Sequence, residues 1–590
     1  MMLRRLRIEH FRGIKSTEWD INRRLVGLVG AGDSTKTTLL DAIGLVLSPN
    51  HNPQFTDADF FAFDLTKNIV IEATVTDLPE NLVKESQLGK DRSGIMPDGS
   101  LVHDPVDDAE ECLVVRLTVT PELDPTWEVV RPESDDARPI SASQRRQLGF
   151  FRLGERRDFH LRWARGSALS GLTDGGDGAS SVILDAHREA RAAVFNAQPN
   201  TLHTAAVAAQ KSAGNFGAAV FGELRPGLEP SSAMSAHALM LHDGEIPLSS
   251  FGLGTRRLTS LAIQDQAMDG GSIIAIDEIE HGLEPHRLAQ TLRHLKRRTD
   301  ANELQVIMTT HSPITVETLS AVDLVVVYAD GAGATICRPV PEDLDNAQGT
   351  FRSAPDALLG RRVVVGEGAT EVGFLRGLLR HWDAERISND QAPAAAIGSV
   401  LVNGKGGTQP TQRAQNFQQL GYPTCMLVDN DDRTVDQSVI DAAASGVSVH
   451  RWAFGNALED EVIQTLTVEG LQALIDLAVD IKGEQSIQAT VGAQLEGAQL
   501  KGTGVVAWQA QIGTDEPTIR KAIAAAATTK GKEWFKREDR AEELAGVVIT
   551  HWGGLNDTHL MKVLGELRAF AYPSAPDLPP AEDAEQPARD

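Results

Sequence analysis

Residues 25–47 read LVGLVGAGDSTKTTLLDAIGLVL, and this stretch decides the fold class. A short apolar run, Leu25–Val29, has the length of a buried strand, and LLDAIGLVL spaces its apolar residues like a helix. Between them, Gly30, Gly32, Asp33, Ser34, Thr35, Lys36, Thr37 and Thr38 form a Gly-rich loop that fits G-x-x-x-x-G-K-[ST] except at Thr35. A phosphate loop needs amides facing the phosphates, a lysine reaching the β and γ oxygens, and a hydroxyl on Mg²⁺. Lys36 and Thr37 stand in the last two roles. Thr35 replaces a glycine, and its side chain crowds the loop, which argues against rapid ATP turnover.

Working outward, MLRRLRIEHFRGIKSTEWDI alternates apolar and polar residues like a hairpin, and 69–78 and 112–120 read as further strands. Residues 184–222 turn helical and alanine-rich, without the heptads of a long coiled coil. SIIAIDE then ends an apolar strand with Asp277 and Glu278, a pair suited to Mg²⁺ coordination and water activation. VIMTTHS ends another strand with His311, placed like a γ-phosphate sensor, and SSFGLG opens a helix whose N-terminus suits an anion. A lone strand-end acid pair or histidine is usually structural. Four such pieces in this order make a nucleotide site.

The second half restarts an α/β pattern after a loose, linker-like stretch at 340–360. Glu367 follows the strand RRVVVG, and Glu371 lies one helical turn on, so both carboxylates can share one cation. LVDNDD ends another strand with Asp429, Asp431 and Asp432, and alternation puts Asp429 and Asp431 on one side. VNGKGG contributes Asn403 and Lys405. Hard oxygen ligands at strand ends suit Mg²⁺ or Mn²⁺ and phosphodiester chemistry. Glu459, Asp460 and Glu461 form an acidic helix start, from which Glu459 or Asp460 would complete a second metal position. Lys530, Lys532 and Lys536 read as a basic helix able to stabilise a charged phosphate. Alanine-rich helices fill most of 460–570.

Composition bounds these readings. The 590 residues exceed one hydrophobic core, and 41% hydrophobic with 23% charged residues is ordinary for globular domains. Fifty-six basic against 82 acidic residues give a net charge of −26, which excludes a non-specific nucleic-acid coat protein but not a nuclease with a local groove. The Arg-dense stretch of Arg145, Arg146, Arg152, Arg156, Arg157, Arg162 and Arg165 reads as a solvated face. Cys112, Cys337 and Cys425 have neither knuckle nor disulfide spacing. With no span of ~18–20 apolar residues and no apolar signal core at the start, a cytoplasmic protein without membrane contact is expected.

The order FRGIK, GAGDSTKTT, SSFGLG, AIDE, TTHS resembles the ABC-type ATPase heads of the SMC and RecF kind. That resemblance implies ATP bound between two heads, Lys36 and Thr37 from one and Ser250, Gly252 and Gly254 from the other. It also implies Arg12 facing the nucleotide and Asp59 at the Q-loop position. The E-G-x-x-E run and D-x-D strand resemble a Toprim domain, which implies Glu367 as general acid/base or ligand and Glu371, Asp429 and Asp431 as ligands. Tyr328, Tyr422 and Tyr572 lack a catalytic setting, so hydrolysis is favoured over topoisomerase chemistry.

Head and Toprim together resemble the OLD (overcoming lysogenization defect) family, which includes the nuclease subunit of Gabija antiphage systems. The resemblance implies an α/β architecture: an ABC/SMC-like head at 1–165 and 241–345, a helical dimerisation insertion at 166–240, a Toprim domain with its own helical insertion at 346–575, and a disordered tail at 576–590. It implies an ATP-binding, two-metal DNA endonuclease or nickase that forms a homodimer or larger oligomer, acts in antiphage defence or DNA repair, and pairs with a UvrD-like helicase. Lys536 is the first choice for the catalytic lysine and Lys532 the second. The competing reading is an ATP-gated DNA-binding or repair scaffold without nuclease activity.

Overall fold

The computed structural model describes residues 1–49, 53–134, 137–153, 241–243, 246–267 and 272–573, with isolated positions between 161 and 204. The expected helical insertion and the expected disordered tail lie outside the described residues, apart from those isolated positions. The chain divides into two compact units. The first holds Met1–Gly27, Thr35–Thr310 and Gly331–Ala334; the second holds Leu28–Ser34, His311–Asp330 and Thr335 onward.

In chain order the strands are β1 (Met2–Phe11), β2 (Ile14–Asp20), β3 (Leu25–Val29), β4 (Ile69–Thr76), β5 (Ser93–Ile95), β6 (Leu101–Val102), β7 (Glu110–Val119), β8 (Pro125–Val130), β9 (Ala137–Pro139), β10 (Phe150–Leu153), β11 (His242–Asp243), β12 (Ile246–Pro247), β13 (Ser272–Ile276), β14 (Leu304–Thr309), β15 (Leu324–Ala329), β16 (Thr335–Pro339), β17 (Arg362–Gly366), β18 (Ser399–Asn403), β19 (Thr424–Val428) and β20 (Ser448–Arg451).

The first unit carries an eight-stranded sheet, β2-β1-β4-β7-β5-β6 with β8 and β9 on β7, whose pairs are antiparallel. Its opening strand alternates as its sequence does: Leu6 and Ile8 are buried while Arg5 and Arg7 reach outward to acids. The same unit holds β10-β13-β14-β3, in which β10, β13 and β14 are mutually parallel. Every residue of β13 and β14 is buried, as parallel strands covered on both faces require. β3 starts in this unit and ends in the second, where the order continues β3-β15-β16.

The second unit contains a four-stranded parallel sheet, β18-β17-β19-β20. Its core continues into the helices that fill 458–571, where Trp508, Trp534 and Phe535 are fully buried. Gly373 lets two helices meet, because a Cβ there would lie 2.2 Å from the Glu538 carbonyl oxygen. The helix Ala369–Ser388 thereby packs along Glu538–His551.

Two expectations are corrected. Residues 340–360 are a packed connection rather than a linker: Ala347–Ser353 is helical, and Phe351 and Leu358 are buried. The burial of those two side chains outweighs the polar, Pro-containing composition. Arg145 of the Arg-dense stretch is buried, donating to the Ser48 and Ile140 carbonyls and lying 4.2 Å from the Trp127 ring centroid. Arg152 pairs with Asp41, so these two arginines support structure rather than a solvated face. Arg156, Arg157 and Arg165 lie outside the described residues.

Candidate functional site

The phosphate loop follows β3 and feeds the helix Lys36–Leu47, as the sequence predicts. Gly30 has φ +135°, and a Cβ there would stand 2.4 Å from the Val327 carbonyl oxygen, so only glycine fits. Asp33 and Thr35 are left-handed, with φ of +60° and +64°. For a β-branched residue this conformation costs on the order of 1–2 kcal/mol. Thr35 therefore holds a glycine conformation without being one, and its Cγ2 would lie 3.3 Å from a Cβ on Gly13. Lys36 is buried at the helix start.

Within the first unit, Thr37 and Asp277 come together. The Thr37 hydroxyl donates to Asp277 at 3.2 Å, and the Thr309 hydroxyl donates to the same Asp277 oxygen at 2.6 Å. Thr309 also accepts from the Glu278 amide at 2.8 Å, which fixes Glu278 at φ +46°. Arg257 donates to the backbone carbonyls of Asp277, Glu278 and His281 and braces the same turn. Sequence reasoning misses Thr309 and Arg257; the threonine sits in the TTHS run, where the histidine is the more conspicuous signal. His311 begins the second unit, two residues past β14, and is exposed.

Arg12 and Asp59 are joined rather than separate. The Arg12 Nε donates to Asp59 at 2.8 Å, and its guanidinium also pairs with Asp41. Asp59 is further held by the Thr56 amide and hydroxyl, so its carboxylate serves the turn and the arginine. Ser250 closes a short 3-10 turn, and the helix Leu253–Ala267 begins just past Gly252, with Gly254 in its first turn. The signature turn thus has the helix-entering form read from sequence.

The acidic site lies at the carboxyl ends of β17 and β19 in the second unit. These strands are neighbours, with β18 beyond one and β20 beyond the other, which makes their junction the switch point where open α/β sheets bind ligands. Glu367 follows β17, and its carboxylate accepts from the Asp429 amide at 2.8 Å, tying the two strand ends. Glu371 reaches back to the Gly368 amide at 2.7 Å. Asp429 accepts from the Leu458 amide at 3.1 Å, which brings the helix Leu458–Thr465 and Glu459 to the cluster. β19 ends at Val428, so Asp429 and Asp431 lie on the loop beyond it, not along a strand. Asp431 nonetheless raises the proton affinity of Glu367 and Glu371, and Asp429 is itself raised by its neighbours.

These raised proton affinities have one physical origin. Burial first, then the charges of Glu367 and Asp431, push Glu371 up to about 7. Burial and then Glu371 push Glu459 up to about 8, with the Lys536 charge opposing. Burial and the Glu371, Glu367, Glu459 and Asp431 charges raise Asp429 well above the usual carboxylate range. Glu367 and Asp460 are raised by burial and by Asp431. Like-charged oxygens buried together favour either protons or a cation.

The donor set is all hard oxygen, which fits Mg²⁺ or Mn²⁺. Among the described residues no three His, Cys, Asp or Glu side chains stand in ligand geometry. Glu367, Glu371, Asp429 and Asp460 instead each turn an oxygen to a backbone amide. Glu461, grouped with Glu459 in the sequence, is committed elsewhere, to the Ala453 amide, Asn456 and His559.

Lys530, Lys532 and Lys536 lie on a connection before the helix Glu538–His551, not on a basic helix. Trp534 and Phe535 bury there and pin the segment by its aromatics. Lys536 is 70% exposed, 3.4 Å from Glu533, and its charge opposes the rise at Glu459. Glu538 next to it receives Arg376 at 2.7 Å and Asn403 at 3.3 Å, a support the sequence does not suggest. Asn403 in turn accepts from the Lys405 amide. The tyrosines are structural: Tyr422 donates to the Leu358 carbonyl and Tyr572 to Asp383, and burial raises both hydroxyls. Among the described residues no helix is long and apolar enough to cross a membrane, and the three cysteines are free thiols.

No curated protein sequence matches the chain. Solved SMC heads are similar to it at 14% identity. One, bound to the C-winged helix domain of ScpA, covers 58% of this chain and 99% of its own, with a TM-score of 0.35. The SMC head of Thermotoga maritima covers 58% and 100%, with a TM-score of 0.28. A Pyrococcus furiosus SMC head with an extended coiled coil, bound to the C-terminal domain of ScpA, covers 57% and 95%, with a TM-score of 0.33. Residues 25–317 match the family model described as "AAA domain, putative AbiEii toxin, Type IV TA system", and the chain accordingly carries an ATPase domain.

Proposed function

We propose that this ATPase domain controls a metal-dependent DNA endonuclease or nickase whose site is the acidic cluster, within the OLD-type domain plan given above. One observation carries the reading. Glu367, Glu371, Asp429 and Glu459, from two strand ends and two helix starts, share one switch point with Asp431, and burial together with the neighbouring carboxylate charges raises their affinity for positive charge. Glu367, Glu371, Asp429 and Asp431 would hold one divalent cation, with Glu459 and Asp460 at a second. The cation supplies Lewis acidity and water activation. Glu367, tied to the Asp429 amide, is placed to move a proton, and Lys536 to meet the charge that develops on phosphate. In the ATPase half, Lys36 and Thr37 take the phosphates and Mg²⁺ with Asp277, while Glu278 orients water. A second copy supplies Ser250, Gly252 and Gly254, so a homodimer is part of the proposal, as are DNA as substrate and a UvrD-like helicase as partner.

Coupling between the two activities has a physical support. Arg361 donates to the Gly32 carbonyl of the phosphate loop at 3.3 Å, and it opens the β17 segment that ends at Glu367. Nucleotide on that loop therefore gates cleavage through differential affinity for two arrangements. The test compares plasmid nicking in Mg²⁺ or Mn²⁺ without nucleotide, with ATP and with a non-hydrolysable analogue, for wild type and Glu278→Gln. Nicking that depends on cation and changes with nucleotide supports the reading; no nicking in any condition favours the scaffold.

A further inference from the structure

An exposed aromatic stands beside the acidic site and plays no part in the function above. Phe454 is 74% exposed, the most exposed of the large apolar side chains among the described residues. Its loop is fixed: the Asn430 amide donates to the Asn456 carbonyl at 2.9 Å, and the Gly455 amide donates to the Asn430 carbonyl at 3.0 Å. The Asn430 side chain also donates to the Trp452 carbonyl at 2.9 Å. Asn430 lies between Asp429 and Asp431, so the ring is anchored to the segment that carries two of the candidate ligands. The Arg433 guanidinium lies 5.0 Å from the Phe454 ring centroid. Among the described residues no carboxylate pairs with Arg433, although Asp431, Asp432 and Asp436 lie on its own segment.

A phenyl ring held in water loses the benefit of burial. A cation–π contact at an exposed position returns only part of that benefit. The ring has a flat face, a neighbouring cation and a rigid base. That combination matches an unstacked nucleobase and its phosphate, since bases stack on aromatics while arginine takes the backbone. Bases inside a duplex have both faces covered by neighbours, so the ring selects a strand whose base is already unpaired.

We propose that Phe454 and Arg433 form a stacking platform for an unpaired nucleotide of single-stranded or frayed DNA, positioned next to the acidic cluster. This rests on the nuclease reading for its purpose, but not for its test. Binding of a single-stranded oligonucleotide carrying 2-aminopurine, and of the same sequence as a blunt duplex, is measured in Ca²⁺ with wild type, Phe454→Ala, Phe454→Trp and Arg433→Ala. The expected result is that Phe454→Ala weakens single-strand binding about fivefold or more and abolishes 2-aminopurine quenching. Phe454→Trp restores both, and duplex affinity changes less than about twofold. Unchanged single-strand affinity in Phe454→Ala overturns the platform, and so does an equal loss for both DNA forms. Wild type that binds in this pattern yet fails to nick plasmid keeps the platform and removes the nuclease instead. Thermal melting of each variant confirms the fold.

Discussion

The nucleotide site and the acidic site both gather carboxylates and treat them in opposite ways. Around the phosphate loop Asp41 and Asp59 hold Arg12, and Asp277 holds two threonine hydroxyls. Around Glu371 the acids take backbone amides and otherwise face one another, with Lys536 and Arg451 as opposing charges. The first arrangement is organised before its ligand arrives. The second gains most from a ligand that is itself a cation. On the proposed reading, the difference separates a binding loop, which needs shape, from a hydrolytic centre, which needs concentrated charge.

The largest effect that would break this contrast is on nicking. Asp431→Ala or Glu367→Gln is expected to lower the plasmid-nicking rate about 10²–10⁴-fold, the usual range for a lost proton-transfer group, with little change in melting temperature. Wild-type nicking by Asp431→Ala would detach the cluster from catalysis. In the other site, Lys36→Ala is expected to weaken ATP binding by about 2–4 kcal/mol, because a buried cation on the phosphates is lost. Equal affinity by fluorescent-nucleotide titration would remove the phosphate-loop reading.

Much of both sites is legible in the sequence because it is local. A strand, a loop and a helix in consecutive positions need no long-range partner, and the acids at 367, 371 and 429 follow strands that periodicity finds. The parts that escape are long-range. Thr309 reaches Asp277 across the sheet, Arg361 reaches Gly32 from far along the chain, and Glu538 is brought to Arg376 by helix packing. Composition misleads at 340–360 and at Lys530–Lys536 for the same reason: a few buried apolar side chains decide the structure against a polar majority.

A smaller effect sharpens the comparison through pH. Glu371 and Glu459 hold protons in the folded state up to about 7 and 8, against ordinary values of 4.5 in the unfolded chain. Between those limits the folded state binds more protons, so metal-free stability falls as pH rises from about 5 to about 8. The expected readout is a melting temperature that falls steadily across that window. Glu459→Gln is expected to flatten the fall, and Mg²⁺ to oppose it. A melting temperature that rises over this window, or ignores Mg²⁺, would show that the carboxylates do not act on one another. The smallest effect belongs to Thr35→Gly. It relieves a left-handed threonine but loosens the unfolded chain, so a net gain of about 1 kcal/mol or less is expected by denaturant titration. A loss of stability would mean that the threonine side chain is itself a needed contact.

The central claim is that the second site is built to take a divalent cation, and Mn²⁺ binding followed by electron paramagnetic resonance tests it most directly. Nucleotide-free wild type is expected to remove free Mn²⁺ from solution with at least one saturable site, and Glu371→Gln combined with Asp429→Asn to lose that site while Lys36→Ala retains it. Identical Mn²⁺ titrations for wild type and the double variant would contradict the account.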